Sequence, residues 1–251
     1  MKKLLISVLV VVLFFSLEGV WEALKASDYG FRFIRIRYTN LDRGTTSYSR
    51  RGRGRGRSRD LKWDHDWDTA EKNLYKALEF TTEIKVEEPP LVLDLKDKRI
   101  FEYPVLYFSE PGYWYPDETD ITNLREYFNR GGFALFDDFR DSNREWDNFY
   151  FQIKRVFPEK QVVQLPDDHP VWNIFYEIDP AEAPSLVSGM GGGKYIDSYW
   201  AMFDDDGRMM LLACRNQDIG DGWEWPNRNL NQGSTVSFQM GINFIIYALT
   251  H

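Results

Sequence analysis

Cysteine is scarce in this sequence, and basic residues are fewer than acidic ones. Cys214 is the single cysteine among 251 residues, which excludes an intramolecular disulfide and a zinc site built from several cysteines. Lys and Arg number 31 against 39 Asp and Glu, so the formal net charge is -8. Because an acidic protein repels polyanions, we expect no nucleic-acid partner.

Familiar catalytic and cofactor motifs are missing as well. Residues 189–194 are rich in glycine, but Ser188 stands where a phosphate-binding loop needs its first glycine. Tyr195 stands where that loop needs Ser or Thr, so we interpret the segment as a flexible loop or lid that can close over the carboxyl ends of the strands. The chain has no Gly-x-Ser-x-Gly elbow and no Cys-His pair in a suitable context. No cofactor is evident from these patterns.

The apolar run near the start of the chain is shorter than a membrane span. Residues 1–3 read Met-Lys-Lys, and only Ser7 interrupts the apolar run over residues 4–15. A spanning helix needs about 20 apolar residues. The pattern predicts a signal peptide or an uncleaved N-terminal anchor over residues 1–26, and a periplasmic or otherwise extracytoplasmic domain over residues 27–251. The alternative is a buried first strand of a cytosolic domain.

Short apolar runs alternate with helical patterns along the body of the chain. The runs at residues 31–38, 91–95, 105–108, 133–136 and 162–165 are typical of strands, and helical spacing follows Asp68, Asp117, Ser142 and Ser234. Gly131 and Gly132 are expected to end the second helix. Residues 199–203 and 208–214 flank a predicted hairpin turn at 204–207. This order predicts a single three-layer α/β domain with a mainly parallel sheet and a β-hairpin insertion.

Residues 50–59 form a segment of arginine and glycine. Its arginines are Arg50, Arg51, Arg53, Arg55, Arg57 and Arg59. Glycine gives flexibility and the arginines repel one another, so we predict a solvated loop. One alternative is contact with an anionic membrane surface or another envelope polyanion. Binding to RNA is a further alternative, but export of the protein argues against it.

Polar residues follow the predicted strands at the points where those strands end. The carboxyl ends of parallel strands meet at one edge of the sheet, here called the rim, and ligands bind there. The predicted catalytic residues are Asp137, Asp138 and Glu110. The predicted ligand-binding residues are Arg37, Asn40, Tyr113, His169, Asn216, Asp218, Trp223 and Glu224.

Carboxylates gathered at one rim suit two kinds of chemistry. They can bind a divalent cation, or they can act as an acid and a base when repulsion separates their pKa values. The alternative for Asp137 and Asp138 is that they cap the following turn or helix. The alternative for Asp218 and Glu224 is that they belong to a simple turn, because two glycines lie between them.

Two histidines are further candidates for a base or a metal ligand. His169 precedes a proline and therefore has an extended or turn conformation. His65 lies between Asp64 and Asp66. Two histidines far apart in the sequence do not form a zinc signature, and both have the alternative of an ordinary structural histidine.

Several stretches together resemble the DUF4159 family of bacterial proteins. These stretches are residues 33–38, 110–113, 131–139, 169–172, 220–225 and 241–251. The resemblance implies a fold similar to class I glutamine amidotransferases and to flavodoxin-like sheets, and it implies no established activity. Such amidotransferases carry a cysteine nucleophile on a tight turn, where this sequence has Asp137 and Asp138. We therefore expect no glutamine amidotransferase activity.

Two functions remain open from the sequence. The first is an exported module that binds a ligand or an envelope protein partner at the rim, where the aromatic residues Tyr113, Trp114, Trp223 and Trp225 can stack on a sugar face. The second is a hydrolase acting on an envelope glycan, with Asp137 or Asp138 as base, Glu110 as acid and a divalent metal as an optional cofactor. A subunit of an envelope complex is a variant of the first.

Overall fold

The computed structural model describes residues 30–39, 61–139, 143–180, 199–227 and 233–251. The predicted signal segment, Asn40, the arginine-glycine segment, Ser142 and the loop at 189–194 lie outside these residues. Among the described residues, no helix is both long enough and apolar enough to cross a membrane.

One sheet of seven strands organises the described part of the chain. The strands are β1 (Ile34–Arg37), β2 (Leu91–Asp94), β3 (Val105–Ser109), β4 (Phe133–Asp137), β5 (Val163–Gln164), β6 (Tyr199–Phe203) and β7 (Met209–Cys214). Their order is β2-β1-β3-β4-β7-β6-β5. The first five strands in this order run parallel, and β6 and β5 complete the sheet in antiparallel pairs. The predicted mainly parallel sheet and its hairpin are confirmed.

Five described helices cover the two faces of the sheet. They are α1 (Thr69–Thr81), α2 (Glu118–Asn129), α3 (Asn143–Val156), α4 (Ile219–Glu224) and α5 (Gly233–Thr250). Side chains of α1 and α5 pack on one face, against Phe33, Tyr107 and Leu135. Side chains of α2 and α3 pack on the other face, against Phe108 and Phe136. The three-layer arrangement is therefore confirmed.

Local sequence signals explain how α2 begins and ends. The Asp117 side chain accepts hydrogen bonds from Thr119 N and Asp120 N, and the Asp120 side chain accepts one from Asp117 N. This capping box satisfies amides that have no partner inside the helix. Gly131 follows the helix with a φ of 94°, which glycine adopts without strain. Both predicted ends of this helix are confirmed.

The chain between Asp218 and Glu224 forms a helix, not the simple turn that was the alternative from the sequence. This short helix, α4, packs against α1 and α5. The Asp218 side chain accepts a hydrogen bond from Asp221 N at 2.9 Å and begins the helix. Because α4 follows β7, it closes the rim on the face covered by α1 and α5.

Candidate functional site

Three strands end at the rim in a backbone conformation that is uncommon for residues with a side chain. Glu110 follows β3 with a φ of 44°, Asp138 follows β4 with 61°, and Asn216 lies beyond β7 with 55°. In the described part of the chain, the other non-glycine residues with positive φ are Lys62 and Asp66. Such conformations cost about 1–3 kcal/mol each and cluster at functional sites. The strain is therefore a first indication of function at the rim.

His65, Glu110 and Asp138 form the first group of side chains at the rim. His65 Nδ1 lies 2.6 Å from Glu110 Oε1 and 4.0 Å from Asp138 Oδ2. Both acidic side chains are 1% exposed, whereas the imidazole is 31% exposed. One ligand atom from each residue lies within 4.8 Å of the others, a spacing that suits a metal ion.

Lys62 contacts the same group from its other side. Its Nζ lies 2.9 Å from Glu110 Oε2, so the two oxygens of this carboxylate face different partners. Burial alone would raise the pKa of Glu110, but His65 and Lys62 outweigh it and hold the pKa below its usual range. Glu110 is therefore ionised at neutral pH.

Asp66, Asp221 and Glu224 form a second group. One carboxylate oxygen of each lies within 4.8 Å of the others. Burial and the charge of Asp138 raise the pKa of Asp66 to about 8. Asp138 thus belongs to the first group and acts electrostatically on the second, so the two groups adjoin.

Asp137 and Asp218 hold the scaffold beneath these groups. Asp137 accepts hydrogen bonds from Ile219 N at 3.1 Å, from Gly220 N at 2.8 Å and from the Tyr107 hydroxyl at 3.0 Å. Burial raises the pKa of Asp137, although these hydrogen bonds oppose the shift. Burial and the neighbouring carboxylates raise the pKa of Asp218 well above its usual range. The carboxylate of Asp137 therefore fastens β4 to the first turn of α4.

Arg35 fixes the segment that carries His65. It lies on β1, fully buried, and its Nε donates to Glu71 Oε1 of α1 at 2.5 Å. One terminal nitrogen donates to the carbonyl oxygens of Trp63 at 3.0 Å and His65 at 2.6 Å. The irregular segment 61–68 is thereby tied to the sheet, and His65 is placed against Glu110.

The sequence pattern of one family covers most of this chain. The profile of a domain of unknown function, DUF4159, matches residues 52–249. The chain belongs to the DUF4159 family. The match begins after β1, so Arg35 lies outside the matched residues. Among curated proteins, no relative matches the chain.

Trp223 is a core residue of this DUF4159 domain. Its indole is 1% exposed, packs against Phe33 and Tyr107, and donates to Ser237 O at 2.8 Å. Trp114 is also fully buried. Neither indole offers a face to a sugar, so the aromatic surface expected at the rim is reduced to Tyr113 and Trp225, both partly exposed.

Arg37 and Tyr113 lie near the carboxyl ends of β1 and β3 but have their own partners. Arg37 forms an exposed pair with Asp94 of β2, through Nε at 2.9 Å and a terminal nitrogen at 2.5 Å. The Tyr113 ring lies 4.6 Å from Lys62 Nζ, and its hydroxyl donates to Glu145 Oε1 at 3.2 Å. Tyr113 therefore joins the first group through Lys62, whereas Arg37 pairs away from it.

His169 lies at the edge of the sheet opposite the rim of this DUF4159 domain. Its ring centroid is 5.4 Å from that of Tyr247, and the Tyr247 hydroxyl accepts a hydrogen bond from Met209 N at 2.9 Å. Met209 begins β7, whereas the rim lies at the other end of that strand. The structure therefore does not bring His169 together with the acidic groups.

Sequence reasoning missed part of this site. Lys62, Asp66 and Asp221 were not among the predicted residues, and His65 was considered without any partner. Segment 61–68 has no helical or strand periodicity from which its position follows. The available signal was local: His65 lies between Asp64 and Asp66 just before a helix, and all three are residue types that can bind a metal ion. The partners of His65 are Glu110 and Asp138, which follow β3 and β4. Only the fold shows that these strand ends lie beside His65.

Proposed function

We propose that this DUF4159 domain binds a hydroxyl-rich ligand, such as a glycan fragment, at the rim. The observation that carries the proposal is the convergence of His65, Glu110 and Asp138 from three separate segments, with Glu110 and Asp138 at strand ends where the backbone is strained. Backbone strain of this kind clusters at binding and catalytic sites.

The chemistry of the rim selects the ligand class. The two adjoining groups contain five carboxyl groups and one imidazole. Carboxylates accept hydrogen bonds and repel anions, so sugar hydroxyl groups suit them better than phosphate or sulfate groups do. The partly exposed side of His65 gives such a ligand access to the buried oxygens.

Thermal unfolding with soluble glycan fragments tests this function. We expect a fragment that binds to raise the melting temperature of the full chain, since a ligand that binds only the folded state stabilises it. Asp138→Asn should lose that protection, because it removes a charged acceptor while asparagine tolerates positive φ. The control is Asp205→Asn, whose side chain is 99% exposed in the hairpin turn. Equal protection of wild type and Asp138→Asn, or no protection by any fragment, would contradict the proposal.

A second candidate function is hydrolysis of such a glycan. The contact that favours it is the 2.6 Å distance between His65 Nδ1 and Glu110 Oε1. A carboxylate in this position orients an imidazole and leaves its other nitrogen to exchange a proton with a reactant. The low pKa of Glu110 and the three hydrogen bonds of Asp137 make His65 the better base. Chromatographic analysis of the glycan should show shorter products with wild type and none with His65→Gln. Cleavage that persists in this variant, or none with wild type, rejects the hydrolase.

The location of the domain is part of the proposal. The basic residues 2–3 and the apolar run after them support export to the periplasm or another extracytoplasmic space. The ligand would then be a component of the envelope, and the six arginines of residues 50–59 would contact anionic lipid. Fractionation of cells tests the location: the protein should leave the cytoplasm, and replacing Lys2 and Lys3 by glutamate should retain it there.

A further inference from the structure

We propose that His65, Glu110 and Asp138 bind a divalent transition-metal cation; this deepens the proposed function and rests on the same rim. The three candidate ligand atoms are His65 Nδ1, Glu110 Oε1 and Asp138 Oδ2. They lie close enough for a single ion to contact all of them. The cation would be part of the ligand-binding site and not a scaffold element.

The fold brings these ligands to fixed positions. Glu110 and Asp138 directly follow Ser109 and Asp137, which are paired neighbours in the parallel register of β3 and β4. Two adjacent strand ends therefore supply the carboxylates side by side. The Tyr38 hydroxyl contacts the carbonyl oxygens of Ser109 and Glu110 at 2.7 Å and holds the turn after β3. Sites supported in this way keep their ligand geometry.

The donor set indicates which ions fit. One imidazole nitrogen and two carboxylate oxygens suit zinc, manganese, cobalt or iron, whereas calcium prefers a larger set of oxygen ligands. Three protein ligands leave at least one coordination position for water or for a hydroxyl group of the ligand. The partly exposed imidazole lies on the side from which the ion can enter.

The charges around the group are also compatible with a cation. Lys62 contacts Glu110 Oε2, so Oε1 is the oxygen that faces His65. With a neutral imidazole, Lys62 and the two carboxylates leave a net charge of about -1, which a divalent ion reverses. The ion would take the place of the proton between His65 Nδ1 and Glu110 Oε1.

Calorimetric titration of the metal-free full chain tests the site. We expect zinc, manganese or cobalt to bind with one equivalent that depends on this group, and calcium to bind more weakly. His65→Gln and Asp138→Asn should each weaken that binding by at least about tenfold. The control is His251→Gln, which removes an exposed histidine from the C-terminus and should leave the affinity unchanged. Circular dichroism shows that each variant is folded, and Glu110→Gln provides a third variant if one is not.

Two outcomes overturn the metal site: no binding of these ions by the wild type, or binding that His65→Gln, Asp138→Asn and Glu110→Gln leave unchanged. The visible spectrum of bound cobalt gives a second readout, and it should change in the three variants and not in His251→Gln. The glycan experiment separates the two proposals. Metal binding without glycan protection rejects the ligand and keeps the metal site, whereas glycan protection in a chelator without metal binding does the reverse.

Discussion

Arg35 and Glu71 form an ion pair in which neither side chain is exposed, with Arg35 Nε 2.5 Å from Glu71 Oε1. The pair joins β1 to α1 beneath the rim. Arg35 also donates to the carbonyl oxygen of His65. The burial of two charges costs several kcal/mol unless they are paired. Removing either partner would therefore leave an uncompensated buried charge, and Arg35 also determines where His65 lies.

We expect Glu71→Gln to lower the free energy of unfolding by about 3–5 kcal/mol, because it leaves the guanidinium of Arg35 without its charge partner. Urea denaturation measures this difference. The matched control is Asp94→Asn, which breaks the exposed pair with Arg37 and should cost less than about 1 kcal/mol. Similar losses in the two variants would show that Arg35 does not depend on Glu71.

Asp137→Asn and Asp138→Asn should differ although the residues are neighbours. Asparagine has one acceptor oxygen, so Asp137→Asn cannot accept all the hydrogen bonds from Ile219 N, Gly220 N and the Tyr107 hydroxyl. We expect it to lose about 1–3 kcal/mol of stability. Asp138→Asn should leave the melting temperature without ligand nearly unchanged. The same melting experiment measures both, and a large loss in Asp138→Asn would identify Asp138 as a scaffold residue.

The metal-free protein should become less stable as the pH rises from about 4 to about 8 through the contribution of Asp66. Its pKa in the folded protein is raised from 3.8 to about 8, so the folded state binds the proton more tightly than the unfolded state. The stabilisation is complete below the lower value and is lost as the pH passes through the upper one. Urea denaturation over this range measures it. Asp66→Asn should reduce the slope, and an unchanged slope would contradict the assignment.

Gly220→Ala should disturb the second group. A Cβ atom at this position would lie 2.7 Å from the Tyr107 hydroxyl and 3.1 Å from Asp66 Oδ2. We expect a loss of about 1–3 kcal/mol from this crowding. Gly131→Ala is the comparison, because its Cβ would meet nothing within 4 Å and only the positive φ opposes it, at about 1 kcal/mol. Thermal unfolding of both variants measures the difference, and an equal or smaller loss in Gly220→Ala would contradict the crowding.

Regular patterns predicted most of the fold, because periodic burial and helix caps are local properties of a sequence. The capping box at Asp117 and the hairpin turn at Asp204 are examples. The site was harder to predict, because its residues come from distant parts of the sequence. His65 lies against its partners because the buried Arg35 of β1 holds segment 61–68 over the sheet. Trp223 follows the predicted rim in sequence, but α4 turns its indole into the core.

The location of β1 has a practical consequence for work on this family. It lies between β2 and β3, yet it precedes the residues that the family profile covers. A protein trimmed to residues 52–249 would lose the strand between β2 and β3 and expose unpaired backbone groups on both of them, which promotes aggregation. It would also lack Arg35, which would leave Glu71 as a buried negative charge without its partner. Recombinant fragments that begin at the profile boundary should therefore misfold, and those that retain residue 30 onward should not.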